Sequence, residues 1–234
     1  MTMRPRTPSD KPKRAFSLIE LLVVISIIAI IGAFAVPAAG QLLKGSSMTQ
    51  AANALTDQAA TARQQALTRN RSVELRFFSF PDPEIPGDTS HFRALQFFEI
   101  ADGDIPNPTG KLIRLPDTIV LSQDAALSSM LGTLTVHKPD ENGLQNDPSL
   151  PRGVGKSYTY VAFRFLPDGS TSLSPAGPSP AGASNGQWYI TAHLLNDIKL
   201  AQNGSPPPNF FTWLIDPVSG RSKVIRPGFT KKGL

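Results

Sequence analysis

From Phe16 to Val36 the chain is apolar, broken only by Ser17, Glu20, Ser26 and Gly32. No face of a helix over this stretch is left polar, and its length matches the roughly 20 residues that cross a bilayer, so the pattern predicts a membrane-spanning helix. After Pro37 the pattern changes. Met48, Ala52, Leu55, Ala59, Ala62 and Ala66 recur at alternating steps of four and three within Gln41 to Asn70, while Gln50, Asp57, Gln58, Thr61, Gln64 and Gln65 fill most of the other positions. That spacing predicts an amphipathic helix whose small apolar stripe lets a sheet approach closely, although a free-standing coiled coil would fit the same stripe.

From Ser72 onward the period shortens towards two and turn residues recur. Strands are expected at Ser72 to Phe80, Phe92 to Ile100, Thr118 to Ser122, Leu131 to His137, Ser157 to Leu166, Ser170 to Ser174, Gln187 to Leu194, Phe210 to Ile215 and Arg221 to Ile225. Val73, Leu75, Phe77, Leu95, Phe97, Val161, Phe163, Phe165, Phe211 and Trp213 alternate as the buried side of a half-buried antiparallel sheet. Long loops rich in Pro, Gly, Asp, Asn and Ser separate the strands, among them Pro81 to Ser90, Ala101 to Gly110 and Lys138 to Gly155. Pro167-Asp168-Gly169 and Asp216-Pro217-Val218-Ser219-Gly220 read as tight hairpin turns, Gly169 supplying the positive φ. The class is therefore α+β. Four segments follow: 1–15 as a leader, 16–37 as the apolar helix, 38–70 as the amphipathic helix and 71–234 as one β-rich domain.

Charge changes this picture by direction. The net charge is +5 over 234 residues, but Met1 to Ala15 holds Arg4, Arg6, Lys11, Lys13 and Arg14 against Asp10 alone. The rest of the chain is close to balance, so the basicity is mainly a topogenic signal and a nucleic-acid partner is not expected. Cations on the N-terminal side of the apolar stretch keep that end cytoplasmic and send the C-terminal domain across an inner membrane in a single pass. Cysteine is absent, which excludes thiol catalysis, a thiolate metal site and disulfide support.

Glu20 is the one charge inside the apolar stretch, at a cost on the order of 2.5 to 3.5 kcal/mol, and so requires a function or a partner. Arg14-Ala15-Phe16-Ser17-Leu18-Ile19-Glu20-Leu21 resembles the signal of type IV prepilins and type II secretion pseudopilins. The resemblance implies a prepilin peptidase cutting between Ala15 and Phe16, N-methylation of Phe16, and a Glu20 carboxylate that neutralises the amino terminus of a neighbouring subunit during assembly. It also gives Pro37 as a helix-kinking proline. Ala15 departs from the glycine usual before the cut. An ordinary secretory signal, cleaved near Ala33-Phe34-Ala35, and a plain membrane anchor remain as other readings, though neither accounts for Glu20.

The hairpins around Phe163 to Ser170 and Trp213 to Arg221, with Ala66 to Val73, are similar to the H-type minor pseudopilins. That likeness implies an antiparallel β-sandwich behind a long helix, and a periplasmic domain incorporated with other pilin subunits into a pilus or pseudopilus. The missing disulfide loop favours the pseudopilin side. A narrower resemblance, to the group called Verru_Chthon cassette protein D, is carried by Arg69-Asn70-Arg71, Phe92 to Gln96, Ala162 to Phe165, Pro206 to Phe211 and Ile215-Asp216-Pro217.

No enzyme constellation emerges, and no cofactor is implied. His91, His137 and His193 stand far apart in sequence with no second ligand at metal spacing. Asp102-Gly103-Asp104 with Asn107, and Asp140-Glu141-Asn142 with Asn146 and Asp147, have a calcium-like oxygen content that solvated acidic turns share. Arg221, Lys223, Arg226, Lys231 and Lys232 form a basic C-terminal cluster. The cluster reads first as an edge strand guarded by cations, with phosphate contact by a DNA-uptake minor pilin as the alternative.

Overall fold

The computed structural model describes residues 17–139, 150–178, 187–201 and 204–226, with side chains in the first helix described outside 34–44. That helix, α1, runs Leu18–Arg69. The chain divides into two units, Met1–Leu43 and Lys44–Leu234. In the second unit α1 is followed by β1 (Val73–Phe80), β2 (His91–Ala101), β3 (Ile105–Pro108), β4 (Ile113–Arg114), β5 (Ile119–Leu121), a short helix α2 (Ser129–Thr133), β6 (Val136–His137), β7 (Thr159–Phe165), β8 (Trp188–Leu194), β9 (Phe210–Ile215) and β10 (Ser222–Ile225).

Helix α1 ends where its sequence requires. Asn70 takes a positive φ of 51°, the left-handed residue that closes many helices, and the pairs Arg69–Glu99 and Arg71–Asp102 tie the junction to the end of β2 and the residue after it. The predicted stripe is all buried: Met48, Ala52, Leu55, Ala59, Ala62 and Ala66 join Ala51 in the main core. With methyl groups as the contact surface, the helix backbone can lie close to the strands.

Among the described residues the strands make one antiparallel sheet in the order β10-β9-β8-β5-β2-β1-β7-β6, with β3 and β4 also on β2. On a flat sheet β1 and β9, four spacings apart, would be separated by roughly 19 Å. The rings of Phe77 on β1 and Trp213 on β9 nevertheless lie 6.3 Å apart. The sheet is therefore curled into two facing halves joined through β5, and the expected sandwich takes the form of one folded sheet. The mouth is closed by hydrogen bonds from Thr171 N–H and Oγ1 to Pro217 O (2.8 and 3.0 Å), and from Trp188 Nε1 to Ser174 O (2.8 Å).

All ten strand positions expected in the core lie in the one cluster that α1 shares. The expectation of a half-buried sheet fails for β1, where every residue is buried. Its second face is covered by Val154, Tyr158 and Tyr160, with Leu112 and Leu150 packed against them over Phe78, Phe80 and Phe98. Much of this cover, Leu112, Leu150 and Val154, comes from 81–156. Three element assignments also change. Of Leu131 to His137 only Val136–His137 is a strand, β6 on β7: α2 occupies the start because Ser128 Oγ and Ser129 Oγ accept the N–H groups of Thr191 and Tyr189 (both 3.0 Å), extending the partnership of β8 where β5 stops. Ser170 to Ser174 contributes only the bridge Thr171–Phe165. Within the expected loop Ala101 to Gly110, β3 pairs with the end of β2 despite Pro106 and Pro108, because an edge position tolerates missing donors.

One cation connects helix to turns. Arg63 Nε donates to Gly169 O (3.1 Å) and Ser219 O (2.9 Å), the two hairpin turns expected from sequence. Gly169 (φ 84°) and Gly220 (φ 63°) both have positive φ, and a Cβ at Gly220 would stand 2.3 Å from Gly169 O. Replacing Arg63 by Met keeps the aliphatic stem but leaves two carbonyls short of a charged donor. The expected loss is about 2 to 3 kcal/mol, read as a melting temperature lower by roughly 5 to 10 °C, with Arg63→Lys recovering part of it. An unchanged melt for Arg63→Met would remove the clamp from the account of stability.

Candidate functional site

In the N-terminal unit, Ala15 and Phe16 lie outside the described residues, and Pro37 falls inside α1 where side chains are not described. The cleavage, methylation and kink expectations therefore stay as expectations. From Leu18 the helix is apolar and uncovered. Leu18 is 82% exposed, and Leu21 to Ile25 are all between 43% and 58% exposed. Five consecutive residues sweep more than one full turn, so no face of this segment is buried. Ser26 Oγ donates to Leu22 O at 2.8 Å and so spends its polarity within the helix. Glu20, in the first turn, is the one ionisable residue of the apolar stretch, at the helix end where a negative charge is favoured. A hydrocarbon cylinder with one carboxylate near its tip can pack against apolar surroundings and hold one cation there. Among the described residues, no helix is long and apolar enough to cross a membrane.

Elsewhere the arrangement is polar but self-contained. Asp102 faces Arg71 (3.4 Å) and Asp104 faces Arg164 (2.6 Å), so the first calcium-like loop has its carboxylates engaged by arginines, while Asp140 to Asp147 lies outside the described residues. Hydrogen bonds from Arg164 hold the Asp104 carboxyl below its usual range. Among the described residues, no group of three or more His, Asp or Glu is arranged to hold a metal ion. Phe211 and Trp213 are fully buried and offer no stacking platform. Of the basic cluster, Arg221, Lys223 and Arg226 lie on or beside β10, and Lys231 and Lys232 lie outside the described residues.

Two groupings were not legible from spacing. Arg93 Nη1 and Nη2 donate to Asp82 (3.1 Å) and Asp88 (2.7 Å), and Arg114 adds a bond to Asp82 (3.0 Å); these pin the Pro81 to Ser90 loop. His91 and His193, expected to stand apart, line one cavity of about 500 Å³ with Thr89, Ser122 and Asp124. Register explains the meeting. Phe92 pairs with Leu121 and Val120 with His193, so the two rings flank β5, the strand joining the two halves.

The comparisons with known proteins bear on the N-terminal segment. Residues 10–36 match the prokaryotic N-terminal methylation motif. The N-terminus is thus of the prepilin type, with Glu20 inside the matched stretch and the sheet domain outside it. No curated protein matches the chain. Among solved structures it is similar to the minor pseudopilin EpsH from the type 2 secretion system of Vibrio cholerae, at 8% identity and a TM-score of 0.39 over 78% of this chain and 98% of that one.

The histidine pair generates a pH dependence. Burial is the main cause that lowers both His91 and His193; Arg93 and the other ring lower His91 further, while Asp88 opposes this at His91, and the Leu194 carbonyl and Asp197 oppose it at His193. A depressed folded-state value means that the unfolded chain takes up protons first. Stability is then full above the ordinary histidine value near 6.5 and falls as pH drops through and below it. Melts between about pH 7.5 and 5 should show this fall, and a His91→Gln/His193→Gln protein should show a flatter profile. Lowered carboxyls such as Asp88, Asp168 and Asp216 act only in more acid solution, below about pH 4, which keeps the two effects separable. Identical profiles for the two proteins would exclude the ring pair as the cause.

Proposed function

We propose that this protein is a structural, non-catalytic subunit of a pilin-like filament of the type II secretion or type IV pilus kind. It is made as an inner-membrane precursor with its N-terminus cytoplasmic and its C-terminal domain periplasmic. A prepilin peptidase cuts it between Ala15 and Phe16, Phe16 is N-methylated, and the mature chain is added to other pilin subunits. The observation that carries this reading is the methylation motif over residues 10–36, lying on a helix whose apolar side chains are exposed on every side around one carboxylate. Such a helix is stable only in hydrocarbon, first lipid and then the packed helices of neighbouring subunits. Read from the sequence, the apolar run continues to Val36, enough to span a bilayer. Glu20 is the docking group: in a medium of low dielectric its charge seeks the free amino terminus of a neighbour. Pro37 would relieve the helix where the membrane half gives way to the amphipathic half. The other reading, a DNA-binding minor pilin, has no support from the comparisons, and the buried Phe211 and Trp213 give it none.

Processing is tested by co-expression with a prepilin peptidase and mass spectrometry of the product. The mature chain should begin at Phe16 with one added methyl group. A product starting at Val36 or Gly40 would establish the ordinary signal-peptide reading instead.

Glu20 separates insertion from assembly. Glu20→Gln and Glu20→Val should insert and be cut at least as well as the native protein, since a costly charge leaves the apolar stretch. Incorporation into filaments, measured by shearing and blotting, should fall by about tenfold or more, equivalent to ~1.4 kcal/mol of lost docking. Normal incorporation of Glu20→Val would end the electrostatic docking role.

A further inference from the structure

The feature that the filament reading does not use is the end of the sheet at β10. In the strand order this strand is terminal, and among the described residues nothing pairs with its other edge. Asp216 N–H donates to Arg221 O (2.9 Å), and hydrogen-bonded pairs alternate in an antiparallel ladder. Lys223 and Ile225 therefore turn their backbone groups towards β9, while Ser222 and Val224 turn theirs to the open edge. The side chains alternate as well. Arg221, Lys223 and Ile225 are exposed on the outer face, whereas Ser222, Val224 and Arg226 are half-buried, Val224 packing against the core.

A groove runs along each side of this edge. On the outer face a cavity of about 660 Å³ is lined by Pro175, Leu214, Pro217, Val218, Arg221 and Lys223. On the helix side a cavity of about 340 Å³ lies between Thr56, Ala60 and Gln64 of α1 and Gly220, Arg221 and Ser222. Ala60 leaves room there that a larger residue would fill. Among the described residues no acid pairs with Arg221, Lys223 or Arg226, and Asp216, the nearest carboxylate in sequence, accepts from Val218 N–H and Ser219 Oγ. Cations on an edge strand also repel stray strands. A purely protective edge has no need of a groove on each face.

We infer that the β10 edge receives an extended segment of a partner protein, added antiparallel to Ser222–Ile225, with acidic side chains on the Arg221/Lys223 face and apolar ones on the Val224 face. Backbone groups of Ser222 and Val224 supply the ladder, and the cations select the partner by charge. This does not rest on the filament reading, since the edge would serve any partner of that pattern.

The test uses the full chain in detergent micelles and three fluorescein-labelled peptides, read by anisotropy. One alternates glutamate and valine, one alternates lysine and valine, and one repeats the acidic sequence with N-methylated backbone at every second residue. The first should bind and the other two should not. Lys223→Glu should weaken binding by about tenfold or more. Val224→Pro should do the same with little change in melting temperature, because its N–H faces away from β9. Should Val224→Pro itself melt low, the N-methylated peptide still decides. Equal binding of that peptide would reduce the site to bare electrostatics and overturn strand addition. The proposal also fails if the acidic peptide does not bind, or binds only after deletion of residues 227–234. Retention of duplex DNA that depends on Lys223, without peptide binding, would make the cations a phosphate contact instead.

Discussion

The fold of the second unit depends on how near a helix can come to a curled sheet. Ala51, Ala52, Ala59, Ala62 and Ala66 present little more than backbone and methyl groups to the core they share with the strands, in which the rings of Phe77 and Trp213 lie 6.3 Å apart. Larger residues along that stripe would push the halves apart and open voids that interior packing does not tolerate. Closure then requires a fastening at the mouth, and Arg63 supplies it from the helix itself. Its guanidinium reaches carbonyls of two turns that are 50 residues apart in sequence. Because each of those turns contains a glycine at positive φ, the clamp also accounts for why the chain can approach itself so closely there.

The second face of β1 shows how charge is carried inside this architecture. Arg76 lies with its guanidinium over Phe98 (4.2 Å) and Tyr160 (4.5 Å) and bonds to Glu74 (2.6 Å), which also accepts from Arg164 (2.9 Å). A buried cation of this kind is tolerable because its charge is met on one side by a carboxylate and on the faces by aromatic rings. The Arg93–Asp82 pair is comparably buried and holds the following loop down. Removing either partner alone would strand a charge in low dielectric, so these networks fix which loop lies on which face more than they add net stability.

What could be read from the sequence was what periodicity encodes. The helix stripe, the ten core positions of the strands and the two hairpin turns follow from spacing and turn residues, and each occupies its expected place. The motif around Glu20 was legible for a different reason: a charge in hydrocarbon is costly enough to stand out. Long-range pairing was not legible. Nothing in spacing brings His91 beside His193, because they meet only through the registers of β2, β5 and β8. Nor does alternation announce a strand buried on both faces when the cover is Leu112, Leu150 and Val154 from segments without periodicity. Strand β3 was hidden by Pro106 and Pro108, whose missing donors matter only if the strand is not at an edge.

The same helix meets opposite demands in the two units. From Lys44 it is amphipathic and belongs to a domain with its own core; between Leu18 and Ile31 it keeps apolar side chains exposed all round. In the proposed filament a single amphipathic pattern could not serve both, since a polar stripe continued into the N-terminal unit would be buried among hydrocarbon at several kcal/mol per unpaired group. Nor could an all-round apolar pattern continue to Arg69, because the outward face around Asp57, Thr61 and Gln64 meets water. The break between the two patterns follows Pro37, and it leaves Glu20 as the one charge of the apolar half. In the proposed filament, specificity in that half falls to this one carboxylate, because the surrounding leucines, isoleucines and valines present hydrocarbon alike in every direction.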